Sequence, residues 1–84
     1  MKHYASPAFW NCHRKLPKNI QQLANKNFDL LKTNINHPSL HVKKVKEYWS
    51  VRVGVKHRAL AVESKEGLVW FWIGTHAEYD RLIK

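Results

Sequence analysis

A chain of 84 residues can bury one modest core, so a second domain is excluded and a single domain spanning residues 1–84 is predicted. Hydrophobic residues make up 44% of the chain, with four Trp, three Tyr and three Phe, which argues against a disordered basic tail. Fifteen Lys and Arg against six Asp and Glu give a formal charge of +9, which predicts a polyanionic partner: nucleic acid, an acidic protein or an anionic membrane surface.

Three other classes are disfavoured. No apolar stretch approaches the roughly 18 residues that a membrane span needs, and no leader segment is visible at the N-terminus. Cys12 is the single cysteine, which removes an internal disulfide and a cysteine zinc site and fits a reducing cytoplasm. The six histidines lack the spacing of a metal motif, so no metal or other cofactor is predicted.

The N-terminal half is predicted to form a short strand and a helical hairpin. A strand around residues 2–5 is followed by Ser6-Pro7, a capping hydroxyl and a proline that suits the first helical position. The first helix is expected over residues 7–15, ended by Pro17. A second helix follows almost at once, because apolar residues recur at the helical period up to Leu31.

Beyond Asn34–Ser39, where turn formers and Pro38 end the helical pattern, the periodicity changes to two. Strands are predicted at Val42 to Val53 in two pieces, at His57 to Glu63 and at Leu68 to Ile73, with the final run apolar on both faces as in a central strand. Residues 76–83 are predicted to close the chain with a short helix. The fold class is therefore α+β, with the helical hairpin packed on a mostly antiparallel twisted sheet of about four to five strands.

Three phrases carry a family resemblance: Tyr48-Trp49-Ser50-Val51-Arg52-Val53, His57-Arg58-Ala59-Leu60 and Gly74-Thr75-His76-Ala77-Glu78-Tyr79. With the order of hairpin and strands, they resemble the RelE/ParE superfamily of bacterial type II toxins over nearly the whole chain. The resemblance is strongest in the last three strands and nearest to the RelE, YoeB and HigB branch.

The resemblance implies a toxin neutralised by a cognate antitoxin and, for the RelE-like branch, a ribosome-dependent endoribonuclease that cuts messenger RNA. Such cleavage needs the ribose 2′-OH deprotonated for attack on the adjacent phosphate, cations for the oxyanions and a proton for the departing 5′-oxygen, but no metal. The antitoxin is expected to lay an acidic, partly disordered segment over the cations.

Residue by residue, the resemblance implies a site in the last strands. Arg58 matches the arginine of the family's HR-L phrase and is expected to hold the scissile phosphate. Arg52 matches the arginine of the WS-R phrase and would assist it. His76 lies where the YoeB-like branch has its C-terminal histidine and would act as general acid or base, a role that Tyr79 or Glu78 would share.

The chain departs from the RelE and YoeB pattern at two points. About eight residues follow His76, whereas those chains end close to their catalytic tyrosine or histidine. YoeB-like chains also have a carboxylate upstream of the WS-R phrase, for which Glu47 is a poor match. In that neighbourhood the chain offers RelE-like lysines instead, which are predicted to meet RNA phosphates, to protect an exposed sheet edge, or both: Lys43, Lys44 and Lys46.

The hairpin register decides whether the two arginines meet. A three-residue loop, or a bulge at Gly54, would place Arg52 opposite Arg58, whereas an even loop would place Arg58 opposite Val53 and away from Arg52. Either arginine would otherwise be an edge residue or lie against a tryptophan.

Two other functions remain open: a ParE-like toxin that binds and poisons DNA gyrase without nuclease chemistry, and a catalytically silent RNA-binding relative. ParE-type chains usually lack the histidine and tyrosine after the last strand, so His76 and Tyr79 favour the RNase. Trp70 to Trp72 are expected in the core rather than as a base-stacking platform. The remaining histidines outside the motifs are expected on the surface: His3, His13, His37 and His41.

Overall fold

The structure is a computed structural model that describes residues 2–84; Met1, which the predicted domain includes, lies outside them. Within this range, the strands and α-helices follow the predicted order: β1 (Lys2–Ala5), α1 (Pro7–Arg14), α2 (Lys18–Thr33), β2 (Lys43–Val45), β3 (Tyr48–Val53), β4 (His57–Ser64), β5 (Gly67–Thr75) and α3 (His76–Ile83). A 3-10 turn at Pro38–Leu40, which was not predicted, connects α2 to β2.

The helical hairpin begins as the sequence indicates. The Ser6 hydroxyl accepts a hydrogen bond from the Phe9 backbone N–H at 3.3 Å, and Pro7 occupies the first turn, where its missing donor is not needed. Pro17 separates α1 from α2. The connection is short, so the two helices are neighbours that together cover one face of the sheet.

The strands form one five-stranded sheet in the order β1-β5-β4-β3-β2. All neighbouring pairs are antiparallel except β1 with β5, which is parallel. β5 therefore lies between two strands, and α1 and α3 both pack against it, which explains why its sequence is apolar on both faces. β2 is at the edge with Lys43 and Lys44 exposed, as predicted for an edge that discourages aggregation.

The main core lies between the sheet and α1 with α2. Trp70 is 1% exposed and lies in the core as predicted, whereas Phe71 and Trp72, which were predicted there with it, are half-buried. The other buried members come from both helices, the 3-10 turn and three strands: Phe9, Ala24, Leu31, Leu40, Val51, Val53, Ala59, Ala61, Leu68 and Ile73. Alternation along the strands directs Ser50, Arg52, Arg58 and Leu60 to the opposite face.

Two histidines expected on the surface are buried. His3 accepts a hydrogen bond at Nδ1 from the Trp70 indole N–H at 3.1 Å, and His13 places Nε2 3.0 Å from Asn25 Oδ1. The prediction failed because each imidazole finds a polar partner inside the fold, which makes burial of a polar ring tolerable. In residues 2–84, no helix has the length and apolar character needed to cross a membrane.

Burial of His3 predicts acid-sensitive stability. Burial, followed by nearby positive charge that includes Lys32, lowers the pKa of His3 below the ordinary value of 6.5. As the pH falls below about 6.5, His3 takes up a proton in the unfolded chain before it does so in the folded chain. Acid therefore favours the unfolded chain, and the free energy of unfolding decreases until the pH has passed the lower pKa of His3 in the folded protein. The free energy of unfolding, measured with urea, should decline between pH 7.5 and pH 5, and the decline should be smaller in His3→Asn. Parallel curves for both proteins would contradict it.

Candidate active site on the β3–β4 hairpin

The β3–β4 hairpin has the three-residue loop that brings the two arginines to opposite positions. Val53 pairs with His57 and Arg52 pairs with Arg58, which leaves Gly54 to Lys56 as the loop. Gly54 has φ +65°, a left-handed conformation that glycine adopts without steric cost, and this allows the tight odd loop. The structure therefore has the register in which Arg52 lies opposite Arg58.

Although their positions are opposite, the two guanidinium groups have different partners. Arg58 Nη1 donates to the Ser50 hydroxyl at 3.1 Å. Arg52 Nε donates to the Gly54 carbonyl at 2.9 Å, and its Nη1 lies 3.4 Å from His41 Nε2. Because β2 pairs with β3 only as far as Ser50, the edge beside Arg52 is uncovered and its side chain turns toward the 3-10 turn. Arg58 is therefore the arginine that faces α3.

α3 covers the Arg58 end of the sheet and begins with a capping box. The Thr75 hydroxyl accepts from the Glu78 N–H at 3.2 Å, while the Glu78 carboxylate accepts from the Thr75 N–H at 2.9 Å. Gly74, which pairs with Arg58, lets this helix approach closely: a Cβ there would lie 2.5 Å from the Trp72 ring and 2.9 Å from Glu78 Oε1. The helix thereby begins one residue after β5 and folds back over Arg58.

Tyr79 is the buried residue of α3, at 3% exposed, and it lies against Arg58. The Arg58 guanidinium carbon is 5.1 Å from the centre of the Tyr79 ring, within cation–π range. Both side chains also have a buried polar atom with no hydrogen-bond partner within residues 2–84: Arg58 Nε and the Tyr79 hydroxyl. His57 Nδ1, next to Arg58 in the chain, is buried without a partner in the same range as well. Such atoms cost stability unless a ligand or a water satisfies them, so this part of the sheet is a candidate site.

His76 lies beside Tyr79, with ring centres 5.7 Å apart in an edge-to-face arrangement. Its side chain is about half exposed, and its Nδ1 is 3.2 Å from the Asp80 carboxylate one helical turn later. A carboxylate at Nδ1 fixes that nitrogen as the proton-bearing one in the neutral ring and leaves Nε2 free to accept a proton. The arrangement joins a cation, a phenol and an oriented imidazole.

Glu78 caps α3 through its carboxylate. Hydrogen bonds from the backbone and the hydroxyl of Thr75 lower the pKa of Glu78, and the charges of Arg81 and His57 act in the same direction. A carboxylate that is held ionised by its cap is poorly suited to donate a proton near neutral pH.

The three lysines predicted to contact RNA lie in three different places. Lys43 pairs with Ser50, so it shares the sheet face of Ser50 and Arg58. Lys44 is on the other face, 3.5 Å from the Glu63 carboxylate, whose pKa is lowered by a hydrogen bond from the Trp49 indole and then by Lys44. Lys46 is in the β2–β3 turn with φ +57°. Lys43 is thus the lysine placed toward the candidate site.

Two site residues were missed from the sequence. Ser50 is fully buried and holds Arg58; it is the diagonal neighbour of Arg58 across the hairpin, so a correct register would have indicated it. Asp80 follows His76 by four residues in a helix that was predicted, and this i, i+4 spacing was a usable signal. Among residues 2–84 no group of three or more metal-ligating side chains is found.

Comparison with protein families gives a match to the ParE-like toxin domain over residues 18–81. A search of curated proteins gave no match.

Several solved structures share the fold. A RelB-RelE antitoxin-toxin complex from Methanococcus jannaschii aligns with a TM-score of 0.74 and 13% identity, covering 96% of this chain and 99% of the other. A YoeB/ParE toxin from Agrobacterium tumefaciens aligns with a TM-score of 0.67 and 18% identity, covering 90% of this chain and 99% of the other. A copper-bound mutant toxin from Helicobacter pylori aligns with a TM-score of 0.61 and 14% identity, covering 93% of this chain and 97% of the other.

Proposed function

The chain belongs to the ParE-like toxin family, in the RelE/ParE superfamily of type II toxins, and from that premise we propose that it inhibits translation by ribosome-dependent cleavage of messenger RNA. The observation that carries the proposal is the pairing of Arg58 with Tyr79, in which a guanidinium nitrogen and a phenol are buried without hydrogen-bond partners in residues 2–84. His76 beside them adds a group able to transfer protons.

The proposed reaction uses the RNA's own 2′-hydroxyl. His76 takes the proton of this hydroxyl through Nε2, and O2′ attacks the adjacent phosphorus while the bond from phosphorus to O5′ breaks. Arg58 neutralises the charge that develops on the phosphate oxygens, with Ser50 keeping its guanidinium in place. Tyr79 gives its proton to O5′. The products are a 2′,3′-cyclic phosphate and a 5′-hydroxyl, and the step needs no cofactor.

Cleavage requires α3 to shift when RNA binds, because the Tyr79 hydroxyl is buried beneath it. Tyr79 is the buried residue of this helix, and Leu82 on the same helix is 54% exposed. Since Tyr79 is the buried residue that α3 contributes, moving α3 breaks fewer buried contacts than unfolding the domain does.

We further propose a cognate antitoxin as the partner that silences the protein, with both acting in the cytoplasm. Of the Lys and Arg side chains in residues 2–84, Lys44 alone lies within ion-pair distance of a carboxylate. A surface of largely uncompensated cations favours an acidic, partly disordered antitoxin segment laid over the site.

One observation favours a second function, poisoning of DNA gyrase: the family model that matches is described as ParE-like. That activity would need no proton-transfer groups, so it leaves the orphaned Tyr79 hydroxyl and the His76–Asp80 pair unexplained. We therefore keep it as the alternative.

Primer extension on messenger RNA from cells expressing the protein separates the two functions. Cleavage on translating ribosomes should give new 5′ ends in a fixed relation to codons, while purified gyrase should supercoil DNA normally in its presence. Inhibited supercoiling with intact messages would reject the RNase and support the gyrase function.

A further inference from the structure

Apart from the Arg58–Tyr79 site, a cationic groove lies beside Arg52, at the edge of β3 that β2 leaves unpaired. It is an open groove with a volume of about 530 Å³. Its lining comes from α2, the 3-10 turn region and the β3–β4 hairpin: Leu23, Lys26, Asn27, Leu30, His37, Ser39, His41, Arg52 and Gly54. We propose that this edge groove binds a phosphate of single-stranded RNA, outside the cleavage site.

The groove has a fixed floor. Asn27, which is 7% exposed, donates from its side-chain amide to the Arg52 carbonyl at 3.1 Å and so ties α2 to the open edge of β3. Leu40 is fully buried and anchors the 3-10 turn that carries the two histidines on either side of it. Functional side chains held by such buried contacts keep their positions without a ligand.

Arg52 is positioned but not neutralised. Its Nε is bound to the Gly54 carbonyl and its Nη1 lies beside His41 Nε2, so the guanidinium is oriented from two sides. No carboxylate lines the groove, and neither ion pair found within residues 2–84 involves its residues. An oriented guanidinium without a counter-charge is suited to an oxyanion.

Hydrogen bonding makes both histidines donors. The Ser39 backbone N–H donates to His37 Nδ1 at 3.3 Å, so the neutral His37 ring carries its proton on Nε2. Arg52 has no acceptor atom, so His41 Nε2 accepts from it and the neutral His41 ring carries its proton on Nδ1. With Lys26 the groove thus offers donors from four side chains, which matches phosphate oxygens.

An adjoining groove makes RNA the favoured source of the phosphate. It shares His37 and His41 and continues past Val42 to the half-buried Trp49. The Trp49 indole is held by a hydrogen bond from its N–H to Glu63 at 2.7 Å. A cationic groove beside a fixed aromatic ring is the arrangement by which proteins hold a single strand, through phosphate contact and base stacking.

The binding assay uses the whole protein and a short labelled RNA whose riboses are 2′-O-methylated, so that it cannot be cleaved. In the double variant Lys26→Gln with Arg52→Gln, RNA affinity should fall about ten-fold or more, and the slope of log affinity against log salt should become shallower by about 0.7, as expected for one lost phosphate contact on a single strand. The matched control is Lys15→Gln with Lys18→Gln, which removes the same charge from exposed positions at the α1–α2 corner.

His41→Asn, which tolerates the φ of +47° at this position, provides a second test that removes no Lys or Arg, and thermal unfolding checks each fold. It should weaken RNA binding while the control double variant changes it by less than about two-fold. Equal weakening in the control would overturn the site, as would unchanged RNA affinity with lost affinity for polyglutamate, which would assign the groove to an acidic protein. No ribosome or cleavage enters the assay, so its outcome is independent of the proposed nuclease activity.

Discussion

Replacing Arg58 by Gln is expected to lower the rate of ribosome-dependent cleavage by about 10²- to 10³-fold, the usual effect of removing one preorganised group from a developing oxyanion. Arg58 is the guanidinium that faces Tyr79, and its Nε is buried without a hydrogen-bond partner in residues 2–84, so it would meet a phosphate oxygen once α3 shifts. Growth after induction and cleavage on purified ribosomes should both report the loss. Arg58→Lys should recover only part of it, because an ammonium keeps the charge but lacks the planar fork.

Arg14→Gln is the matched control, since it removes one arginine from the exposed side of α1. It should cleave at nearly the wild-type rate. Urea unfolding of the Arg58→Gln protein should stay within about 1 kcal/mol of wild type, the scale of one hydrogen bond. A folded Arg58→Gln protein with full toxicity would remove Arg58 from the site.

Replacing Tyr79 by Phe is expected to change stability and activity in opposite directions. The phenylalanine ring keeps the contact with Arg58, while the buried hydroxyl that lacks a partner within residues 2–84 disappears. The free energy of unfolding should rise by about 1 kcal/mol, which raises Tm by about 4–8 °C in a domain of this size. Cleavage should fall by about 10²-fold or more, because the proton donor to O5′ is lost.

The comparison is sharpest when thermal unfolding and cleavage are measured on the same preparation. A Tyr79 with a purely structural role would show the gain in stability without the loss in rate. Wild-type cleavage by Tyr79→Phe would reject the phenol as the acid, and lower stability would mean that its hydroxyl has a partner in solution.

The fold was predictable because each element carries a local signal. Ser6-Pro7 marks the start of α1, the period of apolar residues marks α2, and the two-sided apolar run of β5 marks a central strand. These signals depend on residues within one turn or one strand. They predicted the element order and the mostly antiparallel sheet.

The site was harder to predict, because its geometry depends on contacts between elements. The loop after Val53 decides whether Arg52 faces Arg58, and a shift of one residue would reverse the face. The sheet also has a register shift at Leu60/Ala61, which strand periodicity does not reveal. Which face α3 covers, and therefore whether Tyr79 meets Arg58, depends on how closely it packs on Gly74.

The histidines of the edge groove were equally hard to predict from the sequence. His37 and His41 were expected to be isolated surface residues, and their places in the chain carry no motif. His41 meets Arg52, and His37 lines the same groove, because the unpredicted 3-10 turn lies beside the end of β3 that β2 leaves unpaired. Strand length, which local patterns predict poorly at the ends, decides that edge.

We propose that Arg58 and Tyr79 cleave messenger RNA on the ribosome. The most direct measurement incubates purified protein with ribosomes stalled on a defined message and analyses the ends of the fragments. We expect fragments ending in a 2′,3′-cyclic phosphate at one codon position, dependent on ribosomes and on Arg58 and unaffected by Arg14→Gln. Intact message with the folded wild-type protein, or equal cleavage by Arg58→Gln, would contradict it.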